Sequence, residues 1–211
     1  MKAANEAQER SIARRDWVLA ARSALIERGI SGVRLRALAE VLGATTGAFY
    51  WQYRNLEELL NDVRQDWADT NTAPFKRAIE AAAPDGWKQY LSYVRVLVLE
   101  NEFNPRYDNA IRDWAHNSEQ TATVLREVEL LRIEQLREVF VNMGFADEEA
   151  AIRARVTYFH QAGYNAMKIT ETVDQRLANI PYYAKILTDR TDLLSLTSPE
   201  EVRQCLLASA D

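Results

Sequence analysis

The chain of 211 residues has a single cysteine, Cys205, and two histidines, His116 and His160. One thiol cannot close an internal disulfide, and this set cannot assemble a thiolate or histidine-rich metal site within the chain. Long hydrophobic runs are missing too. No stretch approaches the roughly eighteen apolar residues of a membrane span, and no N-terminal apolar run resembles a signal peptide, so a cytoplasmic protein with no membrane partner is expected. Strong positive charge is also absent. At a net charge of −5 the chain is not a general polyanion binder held by a basic surface. The signatures HExxH, CxxC and GxSxG are lacking, as is a Gly-rich phosphate loop. Glu148, Glu149, Glu171 and Asp174 fall beside helix ends, where capping and solvation account for them. Neither an enzyme nor a cofactor is expected.

Glycine and proline number only 7 and 5, no Ser/Gly/Pro linker interrupts the chain, and no useful β-alternation occurs. What remains is helical periodicity throughout. WVLAARSALIERG places Val18, Ala21 and Leu25 on one face and ends at Gly29. After Asn55, amphipathic runs are predicted at 56–82, 85–102, 106–116, 118–143, 147–170 and 174–188, with a short last helix after Pro199. Leu136, Val139, Phe140 and Met143 make a stripe on the fourth of these. Charge is unevenly spread: residues 1–60 hold nine Lys or Arg against seven Asp or Glu, whereas residues 61–211 hold seventeen against twenty-four. Arg10, Arg14, Arg15, Arg22, Arg34, Arg36 and Arg54 supply most of the N-terminal excess.

Within that N-terminal part, LRALAEVLGATTGAFYWQY carries the most specific pattern. Leu35, Leu38, Ala39 and Leu42 occupy one stripe of a short helix. Gly43 stops it, and Ala39, four residues earlier, lets a second helix cross closely. Thr45 or Thr46 can cap that second helix, and Phe49 with Tyr53 can anchor it. Thr45, Thr46, Gly47, Tyr50 and Trp51 are left on the opposite face, with Gly47 allowing the backbone to lie against a groove. Asn55 caps a following long helix whose first turn holds Glu57 and Glu58. The bland alternative is a helical hairpin whose aromatics merely fill a core. Trp51, for instance, can reach a base or pack back on Trp17.

The segment from about Val18 to Leu60, centred on GATTGAFYWQYRNLEELL, resembles the N-terminal DNA-binding domain of the TetR family of one-component regulators. The resemblance implies an all-α protein with a helix-turn-helix domain at 1–54. A long fourth helix would join it to an effector-binding and dimerisation domain at 55–211. It implies that the third helix enters the major groove, Thr45, Thr46, Gly47 and Trp51 facing bases and Tyr50, Arg34 and Arg36 holding phosphates. Leu56 and Thr46 stand where lysine is common in the family. The partners implied are a palindromic double-stranded operator, an unknown small-molecule effector and a second copy of the chain. A repressor released by its ligand is the expectation. A helical ligand-binding or adaptor protein that no longer binds DNA is the alternative.

For the effector site, the aromatic and polar residues beside apolar stretches are Trp67, Tyr93, Phe103, Arg112, Trp114, His160 and Tyr164, each of which also fits a core position. For the homodimer, FHQAGYNAMKI offers the small residues Ala162, Gly163 and Ala166 flanked by Phe159 and Met167. The same patch would equally suit a helix of its own subunit.

Overall fold

The computed structural model describes residues 12–99 and 102–209; Arg10 lies outside them. Among the described residues ten α-helices follow in order: α1 Arg14–Arg28, α2 Leu35–Val41, α3 Thr46–Tyr50, α4 Leu56–Ala81 and α5 Gly86–Leu99. Then come α6 Pro105–Ala115, α7 Glu119–Asn142, α8 Asp147–Ala166, α9 Val173–Thr188 and α10 Pro199–Ala208. Short 3-10 turns occupy Ile30–Gly32 and Asp192–Ser195, and there is no strand among the described residues. The protein is all-α, as the periodicity predicts.

The boundaries follow the sequence pattern closely, with one clear difference. α8 ends at Ala166 rather than 170, because Lys168 takes φ 53°, a left-handed conformation through which a right-handed helix cannot continue. The next helix is already committed. Thr172 Oγ1 accepts from the Gln175 amide at 3.2 Å while Gln175 Oε1 accepts from the Thr172 amide at 2.8 Å, a reciprocal cap that fixes the start of α9. Residues 100 and 101 of the run predicted at 85–102 lie outside the described residues. Pro74 and Pro181 sit inside α4 and α9, each omitting one backbone donor.

The chain packs as two compact units, Met1–Asn71 with Arg106–Arg126, and Thr72–Pro105 with Glu127–Asp211. These boundaries fall inside α4, at the start of α6 and inside α7. Buried polar bonds explain why α6 belongs to the first unit. The Trp67 indole N–H and the Asn71 amide donate to Asp108 Oδ1 at 2.8 and 2.7 Å, and the Tyr107 hydroxyl donates to the Val63 carbonyl at 2.8 Å.

In the first unit Trp17, Leu25, Leu38, Phe49, Leu59, Val63 and Trp67 are at most 1 % exposed. Trp17 meets Phe49 edge to face at 5.2 Å, and Phe49 stacks on Tyr53 at 5.2 Å. Each such pair adds roughly 0.5–1.5 kcal/mol beyond its burial. In the second unit the expected α7 stripe is in the core, Leu136, Val139 and Phe140 being fully buried and Met143 half-buried. Ala150 and Ala154, both at 0 %, give α8 a flat inner face. No described helix is long and apolar enough to cross a membrane.

Candidate nucleic-acid interface and helical pocket

The turn between α2 and α3 is built from a local hydrogen-bond pattern. The Gly43 amide donates to Glu40 O at 3.1 Å and the Ala44 amide to Ala39 O at 2.8 Å, closing the helix end with Gly43 at φ 61°. That pairing is the glycine-dependent C-terminal stop predicted for this position. Thr45 then takes the N-cap role, its Oγ1 accepting from the Ala48 amide at 3.3 Å. Ala48 and Phe49 are buried at 1 % and 0 %. Two inward side chains therefore orient a helix of five residues.

The outward face of that helix is what the sequence leaves for it. Thr45, Thr46, Gly47, Tyr50 and Trp51 are all exposed, the last two at 62 % and 67 %. Trp17 is fully buried with Phe49 as its ring neighbour, so Trp51 is not folded away over it. An added Cβ on Gly47 would meet only Thr45 Oγ1, at 3.4 Å. Within the protein, nothing demands glycine there. Arg34 and Arg36 are exposed at the start of α2, Arg34 Nε donating to Ser31 O at 2.9 Å. Leu56 is half-buried.

The basic residues of α1 have other work. Arg14 Nε donates to Asp62 Oδ2 at 2.6 Å and its guanidinium lies 4.3 Å from the centre of the Tyr53 ring. Tyr53 in turn donates its hydroxyl to Asp62 at 2.8 Å. Arg15 and Arg22 both pair with Asp66, at 3.2 and 3.6 Å, and Arg22 covers the Tyr107 ring at 4.7 Å. These arginines fasten α1 to α4 and α6 within the first unit. The Arg14 hydrogen bond, with a smaller contribution from Tyr53, holds the Asp62 carboxyl below its ordinary value against the opposing effect of burial. Burial, helped by Asp62, pushes the Tyr53 phenol up. At the start of α4 Asn55 Oδ1 accepts from the Glu58 amide at 3.0 Å, and Glu58 accepts from the Arg54 amide at 2.8 Å. That backbone bond lowers the Glu58 carboxyl.

The second unit holds a cavity of about 70 Å3 between α5, α8 and α9, partly open to solvent. Tyr93, His160 and Tyr164, three of the seven expected effector residues, line it. The other four are elsewhere. Trp67 is sealed against Asp108, Arg112 sits 3.9 Å from Asp108, and Trp114 lies under the Arg64 guanidinium at 4.4 Å, all in the first unit. Phe103 packs edge to face on Phe75 at 5.0 Å in the core of the second. Trp67, Trp114 and Phe103 were drawn inward by partners far away in sequence, and Arg112 by Asp108 one turn before it on the same helix. Sequence reasoning missed Asn179 and Tyr183. Arg176, Ile180, Tyr183 and Leu187 recur at one-turn spacing along α9, a signal that was available.

Of the residues expected at a dimer contact, Phe159, Ala166 and Met167 are exposed and Ala162 and Gly163 half-buried. Ile152, Val156, Tyr182 and Ile186, at 55, 48, 63 and 71 % exposure, extend the apolar face along both helices. On α8 the positions 152, 156, 159, 163 and 167 form one continuous helical stripe.

A family model described as "Bacterial regulatory proteins, tetR family" matches residues 18–63, from inside α1 through α2 and α3 into α4. No curated protein and no solved structure matches the chain.

Proposed function

Starting from a chain that belongs to the TetR family of bacterial regulatory proteins by its residues 18–63, and is thereby a DNA-binding transcriptional regulator, we propose a homodimeric repressor that a small molecule releases from a palindromic operator. The observation that carries the DNA-reading part is the sidedness of α3. Ala48 and Phe49 anchor it, and Thr45, Thr46, Gly47, Tyr50 and Trp51 are exposed on its other side. Thr45, Thr46, Gly47 and Trp51 face base edges, whereas Tyr50, Arg34 and Arg36 hold phosphates. Phosphate contacts position the helix and base contacts specify the site. The reading part is 1–54 and the effector and dimerisation part 55–211.

A helix of five residues covers few base pairs, and a two-fold pair doubles the contact, with half-sites about one turn, ~34 Å, apart. The unpartnered apolar face of α8 and α9 supports such a pair. The cavity between α5, α8 and α9 is the effector site. A ligand there lowers DNA affinity only by the difference in its own affinity for the DNA-competent and DNA-incompetent arrangements.

Fluorescence anisotropy of a labelled palindromic fragment from the protein's own upstream region tests the reading, run at two salt concentrations with excess competitor DNA. Tight binding that weakens with salt, resists competitor and is lost in Tyr50→Ala is expected. Competitor-sensitive binding unchanged by Tyr50→Ala would favour a helical adaptor that does not read DNA.

A further inference from the structure

Resting on the reading of the cavity in the second unit as the effector site, we propose that its effector is an uncharged molecule with a flat, largely apolar body and a hydroxyl or carbonyl group. Tyr90, Asn179 and His160 hydrogen-bond that group.

The walls set the body. Val94, Leu97, Val98, Ile180 and Leu187 provide aliphatic surface, and an ion moved from water against such walls loses solvation that they do not return. The tyrosines among the lining residues add flat faces suited to a planar ligand.

The two charged groups of the lining do not ask for a charged ligand. Glu171 accepts a hydrogen bond from the Tyr164 hydroxyl at 2.7 Å. Arg176 donates to the Leu97 carbonyl at 3.0 Å and lies over the Tyr164 ring at 5.4 Å. Both are engaged by the protein, and their signs oppose each other.

The groups left over are neutral. Tyr90 is 2 % exposed and lines the cavity, yet its hydroxyl makes no hydrogen bond among the described residues. Asn179 and His160 are likewise without a hydrogen bond there. His160 is exposed as a residue, and partial burial moves its ring below its ordinary value, which favours the neutral imidazole with one donor and one acceptor. The Tyr90 hydroxyl opens on the cavity and is not one of the sealed partnerless polar atoms among the described residues, and a ligand hydroxyl or carbonyl placed there takes up a bond that the protein leaves open. Tyr90, from α5, and Asn179, from α9, belong to two different helices, so they fix orientation as well as chemistry.

Three probes of one shape separate the possibilities in titration calorimetry on the full chain: naphthol, the naphthoate anion and the naphthyltrimethylammonium cation. Saturable binding of naphthol is expected, with each charged isostere at least about tenfold weaker. Tyr90→Phe, which keeps the ring in its stack on Trp87, should weaken naphthol by up to about tenfold, the span of one hydrogen bond, and Asn179→Leu should weaken it as well. If a charged isostere binds as tightly as naphthol, the class is wrong and the effector cavity stands. Naphthol affinity unchanged in both variants would overturn the assignment of the hydrogen-bonding groups. Failure of all three probes to bind would overturn the effector cavity itself.

Discussion

At the scale of single residues, Gly47 separates folding from reading. Its helix would accept alanine, since an added Cβ meets only the Thr45 hydroxyl at ordinary contact distance. Gly47→Ala should leave thermal stability unchanged or raise it, by up to about 1 kcal/mol from the better helix former. On the proposed reading it should nevertheless cut operator affinity tenfold or more, because the methyl group would stand where the backbone is to approach the groove. A melting curve beside an anisotropy titration checks both halves. Unchanged DNA affinity would remove Gly47 from the interface. Thr45→Ala is the complementary case. Losing the Oγ1 bond to the Ala48 amide should cost about 1 kcal/mol, visible as a lower midpoint in denaturant, and should weaken DNA binding as well.

The N-terminal helices were legible because their information is local. The glycine stop, the threonine cap and the paired anchors Phe49 and Tyr53 all act within one or two turns, so spacing alone identifies them. The side chains of α1 were not legible in the same way. Arg14, Arg15 and Arg22 look like phosphate ligands in a basic segment, yet their partners Asp62 and Asp66 lie 48, 51 and 44 residues away. The cavity shows the same limit. Tyr90, His160 and Asn179 meet only after three helices have packed, whereas Trp67 and Trp114, equally aromatic in sequence, went to a different core.

At the scale of elements, the junction of α1 with α4 depends on ionised carboxylates. Asp62 and Glu58 both titrate below their ordinary values in the folded protein, so the unfolded chain binds more protons than the folded one in that range. Their contribution is fully present above the ordinary carboxylate values and is lost as pH falls through the lowered ones. Stability followed by circular dichroism should therefore decline on acidification, and Asp62→Asn should be less stable at neutral pH with a flatter acid limb. An acid limb identical to that of the wild type would show that the Arg14, Tyr53 and Asp62 cluster does not fasten the helices. The stop of α8 at Ala166 also belongs to this scale. A left-handed Lys168 and the reciprocal cap at Thr172 set the interval between the two helices that carry the exposed apolar face.

At the scale of the whole molecule, the proposed function requires a second copy. The exposed stripe of α8 was partly legible, Phe159 and Met167 being recognisable beside small residues, but Tyr182 and Ile186 come from another helix and complete the face only in three dimensions. Light scattering at micromolar concentration should give a dimer for the wild type and a monomer for the doubly substituted Phe159→Glu, Ile186→Glu chain. Because one reading head then acts alone, operator affinity should fall about a hundredfold or more. A wild-type monomer under the same conditions would contradict the two-fold arrangement.

The central claim is that the outward face of α3 reads a specific, two-fold DNA sequence. Selection from a random duplex pool tests it most directly, because it assumes no operator in advance. Enrichment of an inverted repeat with half-site centres about one helical turn, ~34 Å, apart is expected, and no enrichment when Tyr50→Ala is used. A wild-type protein that enriches no motif, or enriches the same one with Tyr50→Ala, would contradict it.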